Sequence, residues 1–440
     1  MTHSLSISPV IHPLQARVRV PGSKSLTNRA LSIAALADGE TTLTEALFSD
    51  DSQYFAAALT RLGFSVVLDP SAARMTVGGG GGRLPSARAD LFVGNAGTAA
   101  RFLTALLTLG HGEYTLDGDE RMRQRPIGDL VEALRQLGAN ITPLMQETVQ
   151  PAALCPPLRI LASGLPGGSA AVAGNLSSQY LSALLMAAPY AQKPVDLTIL
   201  HGLSSKPYVE MTLAVMADFG VTVERDGCER FFIPSQRYRS PGQYAIESDA
   251  SAASYFFAAP AVCGGVLRVE NITRRSRQGD IAFLDILAQM GCTVTEGDSW
   301  IEVAAPSSLG TPPVLRGVEV DLGDIPDTAQ TLAAIAPFAS TPTHIYGIAS
   351  ARLKETDRIA GMAAELSRLG VSVTEHSDGL TIQPCAAIRP ALVQTYNDHR
   401  MAMAFSLLGL RAPGVSIENP ACVSKTFPRF FDVLGMLYGG

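Results

Sequence analysis

The stretch PGSKSLTNRALSIAAL, Pro21 to Leu36, reads as a tight turn feeding a helix whose first turns carry Lys24, Ser25 and Arg29. A helix start presents unpaired backbone N–H groups and the positive end of its dipole, so a lysine, a hydroxyl and an arginine added there suit a phosphate or a carboxylate. Alone, the segment is equally a serine-capped surface helix. The rest of the chain shifts the balance. The same design returns at Asn95 (NAGTAARFLTALL), Ser177 (SSQYLSALLMAA), Asp249 (DASAASYFFAA), Asp327 (DTAQTLAAIA) and Asp398 (DHRMAMAFSLL), each a small or polar cluster opening an apolar helix. With the first segment that makes six starts, spaced roughly seventy to eighty residues apart as in a repeated architecture. A second echo, TRLGFSVV, RQLGANIT, ADFGVTVE, AQMGCTVTE and SRLGVSVTE, reads each time as a helix end, a glycine cap and a following strand. Ordinary α/β alternation explains one such unit. Five or six in step imply internal duplication.

The 440 residues suggest two domains or more, and 47% hydrophobic with 17% charged residues fits helices buried on most sides. A formal charge of −6 argues against a nucleic-acid or anionic-membrane partner, while the lysines and arginines of the helix starts concentrate positive charge where small anionic substrates would bind. The beginning MTHSLSISPV lacks a basic region followed by an apolar one, and apolar runs stop short of about eighteen residues, so a cytoplasmic protein is expected. Cys155, Cys228, Cys263, Cys292, Cys385 and Cys422 form no C-x-x-C pair and the seven histidines show no ligand spacing, so neither disulfides nor a metal is expected. The run Gly78 to Gly82 lacks the G-x-x-x-x-G-K pattern and reads as a flexible hairpin or loop. The glycines of GNAGT, Gly94 to Thr98, sit directly before a helix and would let a ligand approach the backbone.

The C-terminal half holds the densest chemistry. RLKETDRIAGMAAEL, Arg352 to Leu366, sets Lys354, Glu355, Asp357 and Arg358 at a helix start; Asp398, His399 and Arg400 follow at another, with Lys425 in CVSKTFPRF and Asp327 in IPDTAQT. Arg125 in RMRQRPIG joins the basic set. Each alone would read as a solvated face or a cap. Together they place acids beside cations at the openings of repeated helices.

PGSKSLTNRA, GNAGTAAR, DGDERMRQRPIG, SSQYLSALLMAAP, SKPYVEMT, IPDTAQT, KETDR, NDHRMAM and SKTFP, in this order, resemble the pattern of the 5-enolpyruvylshikimate-3-phosphate (EPSP) synthase family of enolpyruvyl transferases, across nearly the whole chain. The resemblance implies a two-domain inside-out α/β barrel of six βαβαββ repeats, residues 1–20 plus 245–440 forming one domain and 21–244 the other, with the active site in the cleft between them. It implies transfer of the enolpyruvyl group of phosphoenolpyruvate to the 5-hydroxyl of shikimate 3-phosphate by addition and then elimination, in a cytoplasmic monomer with no metal or cofactor. By the same resemblance Lys24, Ser25, Arg29, Ser177, Ser178, Gln179, Ser205, Asp327, Ser350 and Lys354 hold shikimate 3-phosphate. Lys24, Asn95, Gly97, Arg125, Gln179, Arg358, Arg400 and Lys425 hold phosphoenolpyruvate, and Asp327, Glu355 and Lys24 move protons. Two positions depart from the family pattern: Ser350 stands where asparagine is usual, and Phe102 where proline is usual. The related cell-wall enolpyruvyl transferase places a cysteine in the loop corresponding to His111 to Arg125, which here has none.

Overall fold

The computed structural model describes residues 4–144, 154–306 and 313–438. The chain divides into two compact units, Gly22–Glu247 on one side and Met1–Pro21 with Ser248–Gly440 on the other. The first unit contains α1 (Lys24–Leu36), α2 (Asp50–Arg61), α3 (Gly97–Leu107), α4 (Gly128–Gln136), α5 (Ser178–Ala187) and α6 (Lys206–Asp218). The second contains α7 (Ala250–Cys263), α8 (Phe283–Gln289), α9 (Ala329–Ile335), α10 (Arg358–Arg368), α11 (His399–Gly409) and α12 (Phe430–Gly435).

The repeated segments become the inner helices. Every residue of α3 and α11 is buried, and all but Cys263 of α7. A helix that is apolar all round must be covered on all sides. Accordingly α3 packs against both α1 and α5, and α7, α9 and α11 pack on one another. The intervening α2, α4 and α10 bury one face each and leave charged residues outside.

Among the described residues five of the six sheets follow one plan, a parallel pair extended by an antiparallel hairpin, and the sixth is a parallel pair with one antiparallel strand. Arg88–Phe92 runs parallel to His111–Asp117, which pairs antiparallel with Leu158–Ser163. Leu14–Val18 runs parallel to Gly265–Val269, and Ser4–Ser6 pairs antiparallel with Val415–Glu418, so N-terminal strands complete two sheets of the second unit. In the first unit the parallel partner of Glu40–Thr44 is Gln243–Ala245, followed by an Ile246 N–H to Thr44 carbonyl bond. That pairing keeps the chain with the first unit through Glu247, slightly beyond the boundary at 244 expected from the sequence.

The glycine run is a packed cap where the sequence alone reads as a flexible loop. The N–H groups of Gly80 and Gly81 donate to the carbonyls of Ala35 and Ala37 at the C-terminal end of α1. A Cβ on Gly79 would lie 2.2 Å from the Ala37 oxygen, and one on Gly82 2.1 Å from the Tyr190 ring. Glycine is required here for close approach, and the ligand approached is the end of a helix.

Candidate active site

In the first unit, Ser23 caps α1 by accepting from the Leu26 N–H (3.4 Å). Lys24 Nζ lies 3.6 Å from the buried Asp51 Oδ2, which comes from the first turn of α2. Arg29, 1% exposed, directs its donors at protein groups: Nε to Thr212 Oγ1 (2.7 Å), Nη1 to the Ser25 carbonyl (3.0 Å), Nη2 to the Tyr208 carbonyl (3.0 Å) and Ser182 Oγ (3.3 Å). Burial pulls its pKa down to about 10, because these partners are neutral. An incoming anion would supply the missing charge. Phe102 lies beneath this guanidinium, 5.3 Å from ring centroid to carbon, which is what the unusual residue at that position does.

Arg125 Nη1 donates to both the carbonyl (3.0 Å) and the side-chain oxygen (2.9 Å) of Asn95. A Cβ on Gly97 would sit 2.5 Å from Arg125 Nη2, so the glycine admits a guanidinium to the start of α3 before it admits any ligand. Asn28 on α1 donates to Thr98 on α3 (2.7 Å), and Ser177 caps α5 by accepting from the Gln179 N–H (3.3 Å). Ser178 and Gln179 occupy the first turn of α5, and Ser205 stands before α6 in a left-handed conformation (φ 54°).

In the second unit the centre is Arg358, 2% exposed. Its Nε and Nη2 grip Asp398 (2.8 and 3.3 Å), Nη1 donates to Asp327 Oδ1 (3.0 Å), and Nη2 donates to Glu355 Oε2 (2.8 Å). Burial opposes its charge, but Asp398, Glu355 and Asp327 outweigh that and hold its pKa above the usual arginine value. Arg400 Nη2 donates to the other oxygen of Asp327 (2.7 Å), and Lys425 Nζ lies 3.8 Å from Glu355 Oε1. Three carboxylates and three cations thus alternate in one buried cluster. Ser350 and Lys354 are partly exposed on the short helical stretch and turn that lead into α10.

The structure therefore gathers the expected residues by unit: Lys24, Ser25, Arg29, Asn95, Gly97, Arg125, Ser177, Ser178, Gln179 and Ser205 at helix openings of the first, and Asp327, Ser350, Lys354, Glu355, Arg358, Arg400 and Lys425 in the second. It also adds residues that the sequence reading left out of its site. Asp398, 0% exposed, caps α11 and pairs with Arg358; Asp51 faces Lys24; Asp280 accepts from Ser251 Oγ, and burial, then the charge of Asp327, raises its pKa to about 6. The signal for Asp51 was present in FSDDSQ, a capped helix start with two acids, but nothing local names its partner. Among the described residues no group of three or more His, Cys, Asp or Glu could hold a metal ion.

This double set of charges at repeated helix openings matches one family along almost its full length: the model for EPSP synthase (3-phosphoshikimate 1-carboxyvinyltransferase) covers residues 10–434. The chain belongs to the EPSP synthase family. It is 48% identical over 437 residues to a 3-phosphoshikimate 1-carboxyvinyltransferase of Trichormus variabilis, covering 98% of this chain and 99% of that one. A protein of the same name from Shewanella baltica is 47% identical over 437 residues, covering 99% of both. The EPSP synthase of Acinetobacter baumannii has a similar structure, with a TM-score of 0.79 at 25% identity over 99% of this chain and 98% of that one. The inside-out α/β architecture is thus that of the EPSP synthases.

Proposed function

We propose that Asp327, Glu355 and Lys24 move the protons of the EPSP synthase reaction in this chain. That reaction transfers the enolpyruvyl group of phosphoenolpyruvate to the 5-hydroxyl of shikimate 3-phosphate and releases phosphate. The methylene carbon must gain a proton as the hydroxyl loses one and its oxygen bonds the adjacent carbon; in elimination the new methyl group gives a proton back as the bond to phosphate breaks and phosphate leaves, so an acid and a base must act in turn. The alternating cluster around Arg358 carries this reading. Both oxygens of Asp327 are engaged by guanidiniums and Glu355 lies between Arg358 and Lys425, so the two acids are held ready beside cations. An anionic substrate competes for Arg358, Arg400 and Lys425. Each donor it draws away raises the basicity of the carboxylate left behind, so substrate arrival itself prepares Asp327 to accept the hydroxyl proton and Glu355 to deliver one. Lys24, paired with Asp51 in the other unit, serves both anions and relays a proton.

In this reading Ser25, Arg29, Ser177, Ser178, Gln179, Ser205, Lys354 and, across a water, the short hydroxyl of Ser350 hold shikimate 3-phosphate. Asn95, Gly97, Arg125, Arg358, Arg400 and Lys425 take phosphoenolpyruvate, Gln179 being shared. The segment His111 to Arg125 contains no thiol, and burial pushes the Cys155 thiol up, away from the reactive thiolate that a cell-wall type of chemistry would use. In this reading the enzyme works as a cytoplasmic monomer; among the described residues no helix is long and apolar enough to cross a membrane. The test is kinetic: Asp327→Ala and Glu355→Gln should each slow turnover by about 10²- to 10⁴-fold while shikimate 3-phosphate still binds. Turnover kept by either variant removes that residue from the chemistry.

A further inference from the structure

Two buried donors converge on one carbonyl in the first unit. The oxygen of Pro126, directly after Arg125 in the chain, accepts from Arg101 Nη2 (2.7 Å) and from Tyr180 Oη (2.7 Å). Tyr180 is 2% exposed and Arg101 4%. A phenol facing a carbonyl can only donate. Pro126 has its φ fixed by the ring, and the residue before a proline is confined to extended backbone, where Arg125 lies (φ −85°, ψ 123°). With the carbonyl held from two sides, Arg125 has few directions left in which to swing. Its guanidinium meets Asn95 and covers Gly97.

Arg101 alone is a poorer anchor, because its Nη1 is also drawn to the Gly97 carbonyl and Met122 Sδ, both at 3.4 Å. Tyr180 gives its single O–H to that carbonyl, beside the Arg101 guanidinium, and does so from α5, immediately after Ser177, Ser178 and Gln179. We propose that Tyr180 is a positioning residue for the phosphoenolpyruvate site: its hydroxyl pins the Arg125–Pro126 segment so that the Arg125 guanidinium is presented at the start of α3. The proposal rests on the reading that Arg125 holds phosphoenolpyruvate.

Tyr180→Phe removes the hydroxyl and keeps the ring, so the core stays filled. The KM for phosphoenolpyruvate should rise about three- to tenfold, the range of one net hydrogen bond, with kcat within about twofold and shikimate 3-phosphate affinity unchanged. A merely structural tyrosine would lower Tm and leave that split absent. In an Arg125→Lys background, where the planar fork is gone, Tyr180→Phe should add little further to KM, because residues acting through one another are not additive. The proposal is overturned if Tyr180→Phe leaves KM unchanged while Arg125→Lys raises it, or if the tyrosine effect is equally large in both backgrounds. If Arg125→Lys itself leaves KM unaltered, the role of Arg125 fails first and takes the proposal with it.

Discussion

Asp280 shows how far a single buried acid can be driven by what surrounds it. It is 4% exposed and accepts from Ser251 Oγ, and burial followed by the charge of Asp327 raises its pKa from 3.8 to about 6. In the unfolded chain this carboxyl ionises near pH 4, whereas in the folded protein it keeps its proton to about pH 6. Between those values the folded state binds more protons, so stability falls as pH rises through the window and the loss is complete above it. Asparagine keeps an acceptor for Ser251 without the charge. Asp280→Asn should therefore be more stable than the parent above pH 6, by roughly 3 kcal/mol at most, with the advantage vanishing below pH 4. Chemical denaturation at pH 4, 5, 6 and 7.5 measures it. An advantage that does not change with pH would mean that packing, and not titration, is responsible.

The opening of α3 is where a helix start and a side chain from another loop compete for the same space. Gly97 is the first residue of α3, and Arg125 occupies the volume that a Cβ there would need. Arg125 is 3% exposed and tied to Asn95, so its guanidinium cannot simply turn outward. Gly97→Ala should therefore displace Arg125 while leaving α3 formed, because the methyl meets the far end of a side chain and not the helix's own backbone. The expected result is a cooperatively folded protein with a Tm at or modestly below that of the parent, together with a KM for phosphoenolpyruvate raised about tenfold or more, the cost of a disturbed charge-assisted contact. An unchanged KM would show that the guanidinium finds another route to the same anion. The sequence makes such helix openings legible because caps, glycines and the first apolar residues lie within a few positions of one another. It is silent on what meets them. Arg358 with Asp398 is a pairing over 40 residues, Tyr180 with Pro126 over 54, and neither partner carries a local mark of the other. The repeat could be read from spacing alone, and the charge network could not.

Summed over the chain, the charge is −6, although the substrates are anions. Two fields of opposite sign therefore act on an arriving phosphate. The surface repels it weakly from far away, and the cations at the helix openings attract it at contact distance, where Lys24, Arg29 and Arg125 sit in one unit and Arg358, Arg400 and Lys425 in the other. In the second unit the attraction is partly cancelled by Asp327, Glu355 and Asp398, which pair with Arg358. Salt screens both fields, with a Debye length of about 10 Å at 0.1 M and about 3 Å at 1 M. Six excess charges spread over a surface of 17172 Å² give a dilute repulsion, whereas the cations are concentrated within a few helix turns. The local attraction should win. Raising ionic strength from about 0.05 to about 0.5 M with an inert salt should therefore raise KM for both substrates several-fold, while kcat, set by groups already in contact with bound substrate, changes less than about twofold. Initial rates measured with each substrate varied in turn decide between the fields. A KM that falls as salt rises would mean that the distant repulsion governs capture, and that the cations matter only after the substrate has bound.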